Sequence, residues 1–327
     1  MEQWDKLYSA KSHSGRFSTW FLGLLLLSGL IVSITHFGEI ERFILQVRHS
    51  QPSWLIVAFL LQVATYFSVA MVWWQALRHG GVRYPLLLLV PLGVAKLFSD
   101  QAMPSGGMTG TAFFVAALKG RGVPPRLCMG TMLVSLVTYY AAYLLAAVTS
   151  IILLLVYHAI NPWIIAITII FCLVAVAIPA GVLLLKNWSK AQLPSWLMWP
   201  PGVKNLVQAF ADAPGELLRN PTLIAFSILF QGAVFLLDAA TLWVLLMAIG
   251  RQVSFWAAFP SFVLASIAAT LGPIPLGLGT FEATCVAMLS LLGIHIEAGL
   301  TATLLLRGFT LWLPMLPGLW LARRELR

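Results

Sequence analysis

The residues that could do chemistry in this sequence are ionisable groups set inside long apolar runs. Arg307 lies within Gly299–Ala322, Asp238 lies within Thr222–Ile249, and Glu282 follows the turn Gly272-Pro273-Ile274-Pro275-Leu276-Gly277-Leu278-Gly279. A charge held near the centre of a bilayer costs roughly 2.5–3.5 kcal/mol, so each needs a partner or a task. Arginine suits phosphate because its planar fork binds two oxygens at once, which gives Arg307 the task of attracting an anionic group. Lys96 and Asp100 are four residues apart, just before a second break at Met103-Pro104-Ser105-Gly106-Gly107, and that spacing puts both on one helix face. Backbone amides after the two turns, around Gly106, Gly107, Gly277 and Gly279, would add the positive end of a half-helix to the same region. Three assignments stay open at this level. Glu282 either pairs with Arg307 when a site is empty, titrates, or forms a structural bridge. Lys96 and Asp100 form a local ion pair or touch a substrate, and Asp238 is a proton site or a hydrogen bond between helices.

The elements that must position these groups follow from composition. Of 327 residues, 60% are apolar and 9% charged, with a mean hydropathy of +0.90. An ordinary soluble domain carries about one quarter charged residues, so the bilayer is the solvent here. Apolar runs long enough to cross a hydrocarbon layer of about 30 Å predict full spans at Phe17–Thr35, Ser53–Leu77, Leu127–Tyr157, Trp163–Lys186, Thr222–Ile249 and Gly299–Ala322. The longest stretch without such a run, Lys186–Asn220, is too short and proline-rich for a catalytic core, so no enzymatic activity is expected.

Other classes are excluded by pattern. The net charge of +9 comes from Lys and Arg in short loops beside apolar runs, as the positive-inside rule requires, and not from a nucleic-acid-binding patch. Cys128, Cys172 and Cys285 lie in apolar segments without metal or disulfide spacing, and the histidines form no HxxxH pair. Neither glycine-rich turn continues into Gly-Lys-Ser or Gly-Lys-Thr, so no P-loop is present and no cofactor is expected. Ser33-Ile34-Thr35 is a poor cleavage site, which favours an uncleaved first span.

Two further segments, residues 85–118 and 255–293, are broken at the proline- and glycine-rich turns and predict helix-turn-helix hairpins. The distribution of Lys and Arg places both termini, the 186–220 connection and the base of the first hairpin in the cytoplasm, with the base of the second hairpin opposite. Arg42 and Arg48, in the loop after the first span, run against that rule.

An ungapped offset of 171 aligns residues 104–133 with 275–304 and pairs Pro104 with Pro275, Gly106 with Gly277, Thr109 with Thr280, Ala112 with Ala283 and Gly122 with Gly293. Val115, Ala116, Leu118 and Leu133 match Val286, Ala287, Leu289 and Leu304 in the same register. Each repeat is then a span, a broken hairpin and a span, 53–157 and 222–322, and the charge pattern inserts them upside down relative to each other. The expected fold is all-α and polytopic, with about six full spans and two broken or re-entrant hairpins, roughly eight membrane segments in all. Inverted repeats and broken helices at membrane depth are the architecture of transporters.

The stretch from Leu271 to Glu282, with Leu304-Leu305-Leu306-Arg307 and Trp312-Leu313-Pro314 after it, resembles the transmembrane region of lysylphosphatidylglycerol synthase/flippase proteins and their stand-alone relatives. Pro104-Ser105-Gly106-Gly107 is the matching earlier element, and the resemblance spans nearly the whole chain. It implies a membrane half that flips a lipid made by a soluble synthase half, the latter absent from this chain. It leaves the cargo open among aminoacyl-phospholipids, hopanoids and polyprenyl-linked sugars. Glu282 and Arg307 match the family's polar positions, whereas Lys96 and Asp100 rest on the reading of this sequence alone.

Three functions are weighed. The first is a flippase-like translocator in a bacterial inner membrane, with membrane lipids as partners. The second is a small-solute or ion transporter on the same fold. The third is a non-transporting partner of a lipid-modifying enzyme.

Overall fold

In the computed structural model of the chain, the described residues are 50–102, 108–156, 161–187, 215–272 and 275–325. The expected span at Phe17–Thr35, the arginines Arg42 and Arg48, most of the 186–220 connection and the first turn at Pro104–Gly107 lie outside them.

The described residues are helical throughout their regular structure. Helix α1 covers Pro52–His79 and α4 Pro125–Val156, α5 covers Pro162–Asn187, and α7 Pro221–Ala248 after a short α6 at Gly215–Arg219. A final long helix runs as α10, Ile296–Arg307, a π-helical stretch Gly308–Trp312, and α11, Leu313–Glu325. Among the described residues, five helical stretches are long and apolar enough to cross a membrane, the last being the composite one. Their edges fall within about three residues of those expected from sequence. Between them sit two hairpins, α2 (Leu86–Ala102) with α3 (Met108–Gly120), and α8 (Phe255–Leu271) with α9 (Thr280–Leu291). At 1.5 Å per residue these arms are roughly 18–26 Å long, short of the full hydrocarbon thickness.

Helix α1 starts on Pro52, where a missing N–H costs nothing, and shows why this helix faces another helix on one side and lipid on the other. Ala58, Gln62, Thr65, Ser68, Val72 and Ala76 recur at three- and four-residue intervals and are buried, while Ile56, Phe59 and Leu60 stand exposed. Small and polar residues let backbones approach where lipid tails give no hydrophobic drive. Helix α7 opens on Asn220, whose Oδ1 accepts from Leu223 N at 3.1 Å. The two helices run antiparallel: Gln51 N donates to Ala248 O at 3.0 Å at one end, and farther along Gln62 meets Thr241 and Thr65 meets Asp238.

Each hairpin has its own core. One buried cluster gathers Trp73, Leu89, Phe98, Phe114 and Leu118 around α2 and α3, and the other gathers Phe259, Phe262, Phe281, Cys285 and Leu305 around α8 and α9. The helices that hold the hairpins exchange roles: α8 packs on α4, and α2 packs on α11. The same backbone turn ends α1, α3, α7 and α9, with a bond from Val82 to Leu77, Val123 to Leu118, Arg251 to Leu246 and Ile294 to Leu289. In all four turns the residue before that donor is a glycine at positive φ, Gly81 at 84°, Gly122 at 83°, Gly250 at 79° and Gly293 at 85°, a conformation that only glycine adopts freely, and the 171-residue offset aligns Gly122 with Gly293.

Candidate functional site

The second turn is built so that its chain reversal and its charge depend on one another. Leu276 has φ 62°, unusual for a branched side chain, and Gly277 follows with the same φ. A Cβ on Gly277 would run into Ala269 of α8, so the turn is pressed against the incoming arm. Gly279, at φ 79°, is the N-cap of α9, and Ala283 N bonds to its carbonyl at 2.9 Å. Glu282 at the third helical position reaches back, and its Oε2 accepts from Gly279 N at 2.6 Å.

The other oxygen of that carboxylate turns to the last span. Arg307 Nε donates to Glu282 Oε1 at 2.6 Å, and Arg307 Nη2 donates to the Leu276 carbonyl at 2.8 Å. The guanidinium also stands 5.1 Å from the centre of the Phe281 ring. Both side chains of the pair are nearly buried, at 12% and 13% exposure. A guanidinium has five N–H groups. Two are committed here, and the other three have no acceptor among the described residues. Directly after Arg307 the helix widens into its π-helical stretch, a form concentrated at functional sites.

At the first turn a different residue does the same work. Asp100 Oδ2 accepts from Lys96 Nζ at 2.7 Å, and Asp100 Oδ1 accepts from Gly110 N at 2.8 Å, in the first turn of α3. A Cβ on Gly110 would push that carboxylate aside, so glycine lets it sit against the amide. Both return arms thus start with an amide already satisfied by a carboxylate. Of the amides expected to add positive potential after the turns, those of Gly279 and Gly110 are each met by a carboxylate. Gly277 and Gly279 shape backbone. Gly106 and Gly107 lie outside the described residues.

Asp238 stands apart from both turns, at the crossing of α1 and α7, where Gln62 Nε2 donates to its Oδ1 at 2.9 Å. Sequence reasoning missed Gln62, Thr65 and the Leu276 carbonyl. Gln62 and Thr65 had a signal, two polar residues three apart in an apolar span. The carbonyl had none, because backbone acceptors carry no residue code.

These features define a multi-pass α-helical membrane protein with paired broken hairpins and charged groups at their turns. The profile of the lysylphosphatidylglycerol synthase TM region family matches residues 20–318, and the chain belongs to that family. A search of curated proteins found no match to the chain.

Proposed function

We propose that this protein translocates a lipid with an anionic head group between the leaflets of a bacterial inner membrane, without covalent chemistry. The observation that carries this reading is the state of Arg307. Its guanidinium is anchored to a broken hairpin by Glu282 and the Leu276 carbonyl, and the three N–H groups with no acceptor among the described residues are placed to meet a phosphate. Membership of a lipid-synthase family supports a lipid as the substrate class.

Alternating access follows from two upside-down halves, 53–157 and 222–322. Three features support that reading: the antiparallel α1 and α7, the matched Gly122 and Gly293 turns, and the exchange by which α4 holds one hairpin and α11 the other. The hairpins enter and leave on one side each. Arg78, Arg83, Lys119, Arg121, Arg126, Arg219, Arg323 and Arg324 fall at helix ends that topology brings to one side, which the positive-inside rule makes cytoplasmic. In the cycle, the head group displaces Glu282 from Arg307, and the freed carboxylate keeps its bond to Gly279 N.

The test uses purified protein in liposomes containing fluorescent phosphatidylglycerol, with a membrane-impermeant quencher added outside. The expected result is quenching beyond the outer-leaflet share with the wild type and not with Arg307→Ala. Identical quenching with and without protein overturns the proposal.

A further inference from the structure

Along the crossing of α1 and α7, one carboxylate meets only neutral donors. Gln62 Nε2 lies 2.9 Å from Asp238 Oδ1 and 3.0 Å from Thr241 Oγ1, and Thr65 Oγ1 lies 3.3 Å from the same Oδ1. The network fixes the Gln62 amide. Thr241 gives its one hydrogen to the Leu237 carbonyl at 2.8 Å, so its oxygen offers only lone pairs, and the group facing it must be the NH2. The second hydrogen of that NH2 then reaches Asp238. Thr65 also has one hydrogen but two acceptors, the Leu61 carbonyl at 3.2 Å and Asp238 Oδ1. Both contacts to Asp238 fall on Oδ1, while Oδ2 accepts no hydrogen bond from the described residues, and the Asp238 side chain is only partly buried.

No counter-charge stands beside this group among the described residues. Within α7 itself, Asp238 is the sole ionisable side chain. Helix α1 presents Tyr66 and keeps Arg78 and His79 at its far end, and α4 presents Tyr139, with Tyr140 and Tyr143 beyond it and Arg126 and Cys128 in its first turn. The segment Phe255–Leu271 of α8 carries no ionisable side chain. Helix α10 carries Glu297 at its start and Arg307, which is held by Glu282. Glu216 and Arg219 of α6 lie 19 residues or more before Asp238, roughly 28 Å at 1.5 Å per residue.

We propose that Asp238 is a reversible proton-binding site, with Oδ2 taking the proton from water, whose occupancy is coupled to movement between the halves that carry α1 and α7. The chemistry is one O–H bond formed and broken, with no redox change. A metal cation is a poor occupant because the groups aimed at the carboxylate present hydrogens, not lone pairs. Ionised, Asp238 ties α1 by hydrogen bonds from Gln62 and Thr65. Protonated, its Oδ1 is a weaker acceptor, and Thr65 turns its one hydrogen to the Leu61 carbonyl. Proton uptake therefore removes a tie between the two halves at their longest contact.

The full-length protein in lipid is titrated while its infrared spectrum is recorded. The carbonyl stretch that grows on acidification sums all eleven Asp and Glu carboxyls, and one component band of it should be present in the wild type and in Glu282→Gln and be missing in Asp238→Asn. Asp238→Glu, which keeps a carboxyl, should restore a titrating band if Asp238→Asn fails to fold. Identical titrations of wild type and Asp238→Asn overturn the site. Loss of the band when sodium replaces choline at constant pH overturns the proton as its occupant.

The coupling arm rests on the lipid-translocation reading. In liposomes with fluorescent phosphatidylglycerol, an imposed pH gradient should change the initial rate severalfold for the wild type and leave Asp238→Asn unaffected. Equal responses overturn the coupling. A wild type that moves no lipid under any gradient sinks the translocation reading instead, and the infrared titration alone then decides the site.

Discussion

Glu282 holds Arg307 at 2.6 Å with one carboxylate oxygen while its other oxygen, also at 2.6 Å, closes the amide of Gly279 at the start of its own helix. Turn, return arm and last span are thereby joined through one side chain. Removing one partner of a buried pair leaves the other charge uncompensated, at a cost of about 3–5 kcal/mol. Arg307→Ala should therefore lower the thermal midpoint of the detergent-solubilised protein, and adding Glu282→Gln to it should recover part of the loss. A double variant no more stable than Arg307→Ala would contradict a direct pair.

The two glycines of the second turn should differ in their tolerance. Alanine at either position meets a positive φ, worth about 1–2 kcal/mol. At Gly279 the added methyl enters open space, whereas at Gly277 it collides with Ala269. Gly277→Ala should destabilise by roughly 1–3 kcal/mol more than Gly279→Ala, because overpacking adds to the backbone cost. Thermal unfolding of the two variants side by side checks the order.

At the first turn, Asp100→Ala should cost about 1–2 kcal/mol, since it removes the acceptor of the Gly110 amide as a lost helix cap does and leaves Lys96 without its partner. Asp100→Asn keeps an oxygen for that amide and should cost less. Gly110→Ala should reproduce the Asp100→Ala loss by pushing the carboxylate aside. Equal midpoints for all three variants and the wild type would refute the capping role.

Helix α11 approaches α2 through Gly318. A Cβ there would stand 2.6 Å from Phe98 Cβ and 3.2 Å from the Val94 carbonyl oxygen. Gly318→Ala should separate the last span from the first hairpin and destabilise by about 1–3 kcal/mol. Reduced lipid movement in the liposome assay should accompany the loss, and an unchanged midpoint would show that this contact yields without cost.

Much of the architecture is legible in local pattern. A helix crossing oil must be apolar over its whole length, so the edges of α1, α4, α5 and α7 follow from hydropathy to within a few residues. Proline and glycine mark the second hairpin turn because they alter the backbone locally, and the offset that pairs Gly122 with Gly293 works because both end a helix with the same left-handed residue. Lys96 and Asp100 meet because four residues make one helical turn.

The sequence by itself determined the membrane as solvent, the long helices, the two broken hairpins and the short list of charges. Tertiary structure decided what those charges do. That Arg307 is fastened to the Leu276 carbonyl, that Asp100 caps Gly110 ten residues on, and that Asp238 is met by Gln62 across 176 residues all depend on chain segments brought together by packing. Hydropathy and helical period constrain a residue only through its neighbours within a turn or two. A hydrogen bond between distant helices is set by how small side chains let their backbones approach.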